Sequence, residues 1–178
     1  LRYNSDEQRD FFSQKGGLTE HAKAFETEVK IRPEHFDDFI YELIEKKEVN
    51  ITYVVYGLRA LSETKHDFNK FIKIYSKLLS YREINDENTM YLIWMVDYLL
   101  DKEYMDDMVF EFLIHAAKYG ETPNQVLNPT HLVSDGINST RGAAIERLIQ
   151  ISYKPKYSDK IFETVELACE DKFDCVKA

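Results

Sequence analysis

Apolar residues recur along this chain at the spacing of an α-helix surface. The segment that follows Pro33 shows the pattern most clearly, since it places on one helical face Phe36, Phe39, Ile40, Leu43 and Ile44. This is the i, i+3, i+4, i+7 spacing of an amphipathic helix. Comparable stripes follow along the rest of the chain. We therefore expect about eight helices of roughly 12–17 residues, joined mostly by loops of about 2–6 residues.

Small polar residues and prolines stand where these helices should begin. A short polar side chain accepts hydrogen bonds from the unpaired amides of a first helical turn, and proline at that position loses no bond. Gly120 is expected to end a helix in the C′ role. The predicted starts are Thr19 before a helix over about 20–31, Pro33 before one to about Lys47, Asn50, Asp67, Asn85 or Asp86, Asp106 with Asp107, and Ser139. Pro155 and Ser158 are expected to separate the Ser139 helix from a last helix, whose apolar residues are Ile161, Phe162, Val165, Ala168 and Cys169.

The fold class follows from these helices and from a shortage of turn residues. The chain has six glycines and four prolines among 178 residues, too few for an all-β fold, which needs a turn every 8–12 residues or so. Short loops favour antiparallel hairpins stacked as a HEAT- or armadillo-like α-solenoid, with a compact helical bundle as the alternative. We predict a linker or short terminal helix over residues 1–17 and a single α-helical repeat domain over 18–178. The segment Met90–Leu100, apolar nearly all round, is expected to be the most buried helix.

The charge and cysteine content limit the partners and the compartment. A net charge of −9 disfavours nucleic acid and anionic membranes as partners, because both are bound through Lys and Arg. No apolar run approaches the 18 or so residues of a membrane-spanning helix. Cys169 and Cys175 are the two cysteines, so a disulfide framework is excluded and a reducing, cytoplasmic compartment is predicted.

The sequence contains no motif that indicates a catalytic, metal or cofactor site. Neither the P-loop pattern nor a G-x-G-x-x-G occurs, and the histidines form no H-E-x-x-H pattern. Adjacent acidic residues such as Asp37 and Asp38 diverge on a helix and do not share one site. His131 could meet the two cysteines only through tertiary folding. We therefore predict no catalytic residue, no metal and no cofactor.

Aromatic residues leave two further possibilities open. Packing in the core is the default for most of them, but tyrosine is also enriched at interfaces. The candidates for lining a binding groove are Tyr41, Tyr53, Tyr56, Tyr81, Tyr91 and Tyr98. The alternative function is a self-contained helical enzyme or small-molecule-binding protein. Its site would lie between helices, near Trp94, Asp97, His115 and Tyr119.

Two segments carry a family resemblance. The first is Arg32-Pro-Glu-His-Phe-Asp-Asp-Phe followed by Asn50-Ile-Thr-Tyr-Val-Val-Tyr-Gly-Leu, and the second is Gly136-Ile-Asn-Ser-Thr-Arg-Gly-Ala-Ala-Ile-Glu-Arg-Leu. Together they resemble the helical, HEAT-like repeat region of large bacterial P-loop ATPase proteins of the STAND or NACHT type. The ending, residues 171–178, is similar to the acidic turn and helix start of a HEAT-type repeat. The resemblance implies a fragment of a longer array that serves a STAND-like ATPase as sensor or scaffold, with the ATPase module elsewhere in the parent.

The second segment also contains the candidate site residues Asn138, Arg141 and Gly142. Asn138 or Ser139 would cap the helix, Gly142 would permit close backbone approach, and the Arg141 guanidinium would bind a carboxylate or free carbonyls of the 121–136 connection. These residues either lock that loop to the helices or bind a partner. The predicted function is non-catalytic recognition or scaffolding, with a protein or another segment of the parent as partner. A pure spacer role is a further alternative, and an uncapped array end predicts self-association.

Overall fold

The computed structural model describes residues 16–81, 83–121 and 138–170 of the chain. Over these ranges the backbone forms eight α-helices, one 3₁₀ turn and no β-strand, so the predicted all-α class is confirmed. The elements are α1 (Leu18–Ile31), the 3₁₀ turn Pro33–His35, α2 (Asp37–Leu43), α3 (Ile51–Glu63), α4 (Phe68–Tyr81), α5 (Asp86–Leu100), α6 (Asp107–Tyr119), α7 (Thr140–Gln150) and α8 (Pro155–Cys169).

Side-chain caps fix the starts of five of these helices. In each case a side-chain oxygen accepts an amide hydrogen bond from the first turn, at donor–acceptor distances of 2.9 to 3.1 Å. Each cap satisfies an amide that has no partner within the helix. The predicted caps are thereby confirmed at Asn50, Asp67, Asn85, Asp106 and Ser139.

Three helix boundaries differ from the prediction. α1 begins after Gly17 instead of Thr19, because the Glu20 carboxylate accepts the Gly17 amide at 3.0 Å. The helix expected to extend to about Lys47 ends at Leu43. Turns with i→i−3 hydrogen bonds follow it, and Val49, the last residue in them, is buried. Pro155 is the first residue of α8 and does not separate two helices, since a proline at that position loses no hydrogen bond.

The burial of the helices also differs from expectation. Every residue of α3 from Ile51 to Leu58 is buried, whereas α5 leaves Trp94 40% exposed. The prediction that α5 is the most buried helix is therefore wrong. Gly120 ends α6 as predicted, with φ −65°. Its lack of a side chain serves close packing, because an added Cβ would lie 2.6 Å from the carbonyl oxygen of Ala116 and from Cγ2 of Thr140.

The described helices fall into two compact units. The first contains α1 to α4. Within it α1 packs mainly on α3, and α2 packs on α3 and α4. The interior is filled by large side chains that are almost completely buried, among them Ile40, Tyr53, Tyr56, Phe71 and Tyr75. Gly57 lets α3 approach its neighbours, since a Cβ there would lie 2.9 Å from atoms of Phe25 and Ile40.

The second unit contains α5 to α8. Helix α7 packs on both α5 and α6, and α8 packs on α6 and α7. Ion pairs join Asp107 to Lys156 and Glu111 to Lys160, so α6 and α8 advance in the same direction. None of the helices in the described ranges is long and apolar enough to span a membrane.

Candidate functional site

The predicted site residues lie at the start of α7. Asn138 is exposed just before the helix. The Nε atom of Arg141 donates to the carbonyl oxygen of Ala117, in the last turn of α6, at 3.1 Å. The Gly142 amide donates to Oγ of the capping Ser139 at 3.0 Å. Arg141 therefore ties α7 to α6, while residues 122–137, which include most of the connection it was expected to hold, lie outside the described ranges. A partner-binding role for these residues stays a prediction.

The six candidate groove tyrosines divide between core and surface. Tyr53, Tyr56 and Tyr98 are buried and pack inside their units. The Tyr41 ring lies beneath two ammonium groups, with Nζ of Lys73 at 4.5 Å and Nζ of Lys77 at 3.6 Å from its centroid. Tyr81 and Tyr91 retain solvent exposure. The described structure therefore does not bring the six onto one surface.

The four residues of the alternative small-molecule site have separate partners. The Trp94 ring meets the edge of Tyr91 at a centroid distance of 5.6 Å. Asp97 forms an ion pair with Arg147 at 2.7 Å. The His115 and Tyr119 rings lie 5.0 Å apart. Among the described contacts, only this last pair joins two of the four.

A buried carboxylate in the first unit lies against two basic side chains. Asp37 of α2 is 2% exposed, and its Oδ2 lies 2.9 Å from Nε2 of His66 and 2.7 Å from Nζ of Lys70. Burial by itself would raise the pKa of Asp37, but the hydrogen bonds from Lys70 and His66 outweigh it and hold that pKa below its ordinary 3.8. A carboxylate kept ionised in this way is a weak base. The cluster ties α2 to α4 and is a poor general-base centre.

A second carboxylate joins α1 to α3. The side chain of Glu26 is 6% exposed and contacts both Arg59 and Lys30, and Lys30 also contacts Glu63. Burial would raise the pKa of Glu26, but the two cations hold it below its ordinary value. The two carboxylates and the two cations of this cluster neutralise one another. The cluster is therefore a structural ion-pair network between helices.

A cluster of acidic residues and tyrosines anchors the start of α6. The Tyr104 hydroxyl donates to Asp106 at 2.6 Å, and the Tyr157 hydroxyl donates to Asp107 at 3.0 Å. Burial, together with the hydrogen bond to Asp106, raises the pKa of Tyr104 to about 12. Tyr157 also stacks on Phe110 with centroids 4.3 Å apart. Both hydroxyls therefore stay protonated near neutral pH and fix the α5–α6 turn and α8 in place.

Metal ligation finds no support in the described ranges. No group of three or more His, Cys, Asp or Glu side chains there is arranged to hold an ion. Cys169 is a free, exposed thiol at the end of α8. His131 and Cys175, the other members of the candidate zinc set, fall outside the residues that the structure describes.

The exposed side of α8 carries a surface that sequence reasoning missed. Its buried side is made by Tyr157, Ile161, Thr164 and Ala168. Large apolar side chains remain on the exposed side, where Phe162 is 60% exposed and Leu167 is 50% exposed. Four exposed or half-exposed carboxylates lie in the same strip of the helix, and we call the whole set the α8 outer face: Asp159, Phe162, Glu163, Glu166, Leu167 and Glu170.

The sequence did contain a signal for this face: the last helix has more apolar residues than one side of a helix can hold. The apolar residues predicted for the last helix cover two adjacent strips of α8: Ile161, Phe162, Val165, Ala168 and Cys169. Ile161 and Ala168 belong to the buried strip, and Phe162 lies beside it. The crowding of apolar positions indicated a second strip. The packing of α8 was needed to show which strip is exposed.

Comparison of the chain with protein-family models, with curated proteins and with solved structures finds no match in any of the three.

Proposed function

We propose that this chain is a non-catalytic recognition or scaffold segment of a larger bacterial cytoplasmic protein. The observation that carries the proposal is the α8 outer face, where Phe162 and Leu167 are at least half exposed. Exposed large apolar side chains beside polar residues are characteristic of protein-binding surfaces. The ionisable side chains around Glu26 and Asp37, by contrast, form ion pairs that hold neighbouring helices together.

The proposal includes a HEAT-like solenoid as the arrangement of the helices and a STAND-like ATPase as the parent. The all-helical structure and the short connections within the described ranges support the solenoid arrangement. A compact chain of 178 residues has a radius of gyration of about 16 Å. Small-angle scattering that gives a clearly larger radius for a monomer supports the solenoid, whereas a value near 16 Å supports the compact bundle.

The parent is tested by the open reading frame that encodes this segment. A long frame with an upstream G-x-x-x-x-G-K-[ST] supports a STAND-like protein, because that loop binds the nucleotide phosphates. A frame without any such motif excludes a P-loop ATPase parent. The recognition role itself survives that outcome, since it depends on the exposed surface of α8.

The recognition role is tested by photo-crosslinking in the full-length protein in its host. A photoreactive amino acid at position 162 is expected to give a defined adduct with a protein, or with another segment of the parent. The purified chain should compete for that adduct. The same group at position 42, on the exposed side of α2, is the matched control. Equal labelling at both positions, or none at 162, would overturn the role.

A further inference from the structure

We propose that the α8 outer face binds a basic, amphipathic helix of a protein partner. The inference deepens the proposed recognition function and rests on it. What carries it is the placement of charge on the exposed part of α8. Lys156 and Lys160 lie on the edge next to α6, where they pair with Asp107 and Glu111. The carboxylates of α8 form the adjacent exposed strip, farther from α6.

The basic side of α8 is satisfied within the fold. The Lys160 ammonium lies 2.6 and 2.7 Å from the two oxygens of Glu111 and 5.7 Å from the centroid of the Phe110 ring. Lys156 pairs with Asp107 and lies over the Tyr157 ring. Both lysines are thus paired with carboxylates of α6 at the protein surface, and α8 contains no basic residue after Lys160.

The acidic side has no such partners. In the described part of the chain, no hydrogen bond or ion pair engages the carboxylates of Asp159, Glu163, Glu166 and Glu170. They are separated by three or four residues, so they follow one another along a single strip. Phe162 borders this strip on one edge and Leu167 borders it on the other. A strip of carboxylates between two exposed apolar side chains is complementary to a stripe of lysine or arginine residues with apolar residues beside it.

This arrangement works against the stability of α8 itself. Like charges at i, i+4, as in Asp159 with Glu163 and Glu166 with Glu170, repel one another. Negative charge in the last turn opposes the helix dipole, and the last turn holds no basic residue. Local rules are commonly violated at functional sites. The strip is therefore better explained by an external basic partner than by the needs of the fold.

Electrostatics also selects among possible occupants. A second copy docked through the same face would bring carboxylates against carboxylates, since a two-fold contact pairs a surface with itself. Anionic lipid and nucleic acid are repelled by the same charges. A basic amphipathic helix that lies along α8 offers lysine or arginine residues to the carboxylates and, beside them, apolar residues to Phe162 and Leu167.

The test uses the 178-residue chain and a synthetic amphipathic helix of leucine and lysine, titrated at low salt. Two comparison peptides are a leucine–glutamate helix with the same pattern and a scrambled leucine–lysine sequence. We expect the patterned lysine peptide to bind at least about tenfold more tightly than the scrambled one, and binding to weaken as salt screens the charges. The glutamate peptide should not bind. Equal binding of the patterned and scrambled peptides would overturn the proposal.

Two charge-reversal variants separate the face from the overall charge. Glu166→Lys alters the α8 outer face, and Glu42→Lys makes the same charge change on the exposed side of α2. We expect Glu166→Lys to weaken peptide binding about tenfold or more and Glu42→Lys to have little effect. Glu166→Lys should unfold at the same or a higher temperature, because it relieves repulsion along α8. Equal effects of the two variants would show a general charge effect and would contradict the assignment.

Sedimentation of the chain and of Phe162→Ala tests the competing occupant. A monomer at all concentrations agrees with a foreign partner. A dimer that Phe162→Ala dissolves would assign the face to a second copy and overturn the proposal. If the crosslink at position 162 forms but the lysine peptide does not bind, the recognition role stands and only the partner class is wrong.

Discussion

The carboxylate of Glu26 in α1 and the guanidinium of Arg59 in α3 form a two-point contact, with donor–acceptor distances of 2.8 and 2.5 Å. The parallel bonds fix the orientation of one helix on the other. Glu26 is 4% exposed, so neutralising it removes the nearest anion from the partly buried Arg59, whose contact with Glu63 is longer, at 3.6 Å. The contact is therefore a specific tie between the two helices that pack most closely in the first unit.

Replacement of Glu26 by glutamine should destabilise the first unit. Removing one partner of a buried ion pair costs about 3–5 kcal/mol, and we expect about 2–3 kcal/mol here because Arg59 keeps some contact with solvent. Urea unfolding followed by circular dichroism measures the loss. Glu28→Gln is the control, since its pair with Arg32 is exposed and should contribute less than about 0.5 kcal/mol. Equal losses in the two variants would contradict the argument.

Contacts of this kind lie beyond what the sequence predicts. The all-α class, five helix caps and most apolar stripes follow from interactions within one or two turns, and such local patterns are visible in the sequence. Glu26 and Arg59 are 33 residues apart, as are Asp37 and Lys70. No local rule selects one of the many oppositely charged residues as the partner. Packing in three dimensions makes that choice.

The α8 outer face was missed for a related physical reason. Phe162 and Ile161 are adjacent and both apolar, so hydropathy alone does not distinguish them. The contacts of α8 with α6 and α7 decide that Ile161 is buried and Phe162 exposed. The length of α2 was likewise not predictable from the sequence. Its apolar stripe continues past Leu43, but the helix ends there. The buried Ile44 and Val49 are held by turns.

The environment of Asp37 predicts an acid-dependent loss of stability. Its pKa is held below the ordinary 3.8 in the folded chain. The folded state therefore binds the proton less readily than the unfolded state. The resulting stabilisation is fully present above pH 3.8 and is lost as the pH falls through the folded pKa.

Asp37→Asn should remove this acid-dependent contribution. We expect the variant to be less stable at neutral pH by about 1–3 kcal/mol, because Lys70 and His66 lose a charged acceptor. The free energy of unfolding of Asp37→Asn should also change less between neutral pH and pH 3 than that of the unsubstituted chain. Urea midpoints across this range provide the test. Identical pH profiles for the two proteins would show that Asp37 does not link folding to protonation.

Tyr104 should make the second unit sensitive to alkaline pH. Its folded pKa of about 12 lies above the ordinary 10, so the folded state retains the phenolic proton more strongly. That stabilisation is fully present below pH 10 and is lost as the pH rises through about 12. Burial also raises the pKa of Tyr53 and of Tyr157, so the absorbance of phenolate should show several tyrosines that titrate late, and Tyr104→Phe should remove one of them. A late fraction that Tyr104→Phe leaves unchanged would refute the environment described for Tyr104.

Even a methyl side chain at position 120 should destabilise the fold. A Cβ at this position would lie 2.6 Å from the carbonyl oxygen of Ala116 and from Cγ2 of Thr140, so Gly120→Ala should destabilise by about 1–3 kcal/mol. Thr140→Ser removes the methyl group. The double variant should recover part of the loss, with the carbonyl contact remaining. Denaturation of the four proteins in a double-mutant cycle measures the coupling, and strictly additive losses would rule out this contact.

Arg141 distinguishes a structural role at the start of α7 from a binding role. Its Nε bond to the Ala117 carbonyl oxygen satisfies an acceptor in the last turn of α6. If it locks the two helices together, Arg141→Ala should cost about 1 kcal/mol and speed hydrogen exchange in the last turn of α6 and the first turn of α7. The exposed Lys102→Ala serves as the control. If the variant instead keeps its stability and exchange rates while the full-length protein loses its partner, Arg141 belongs to the recognition surface, and the contact with Ala117 contributes little to the fold.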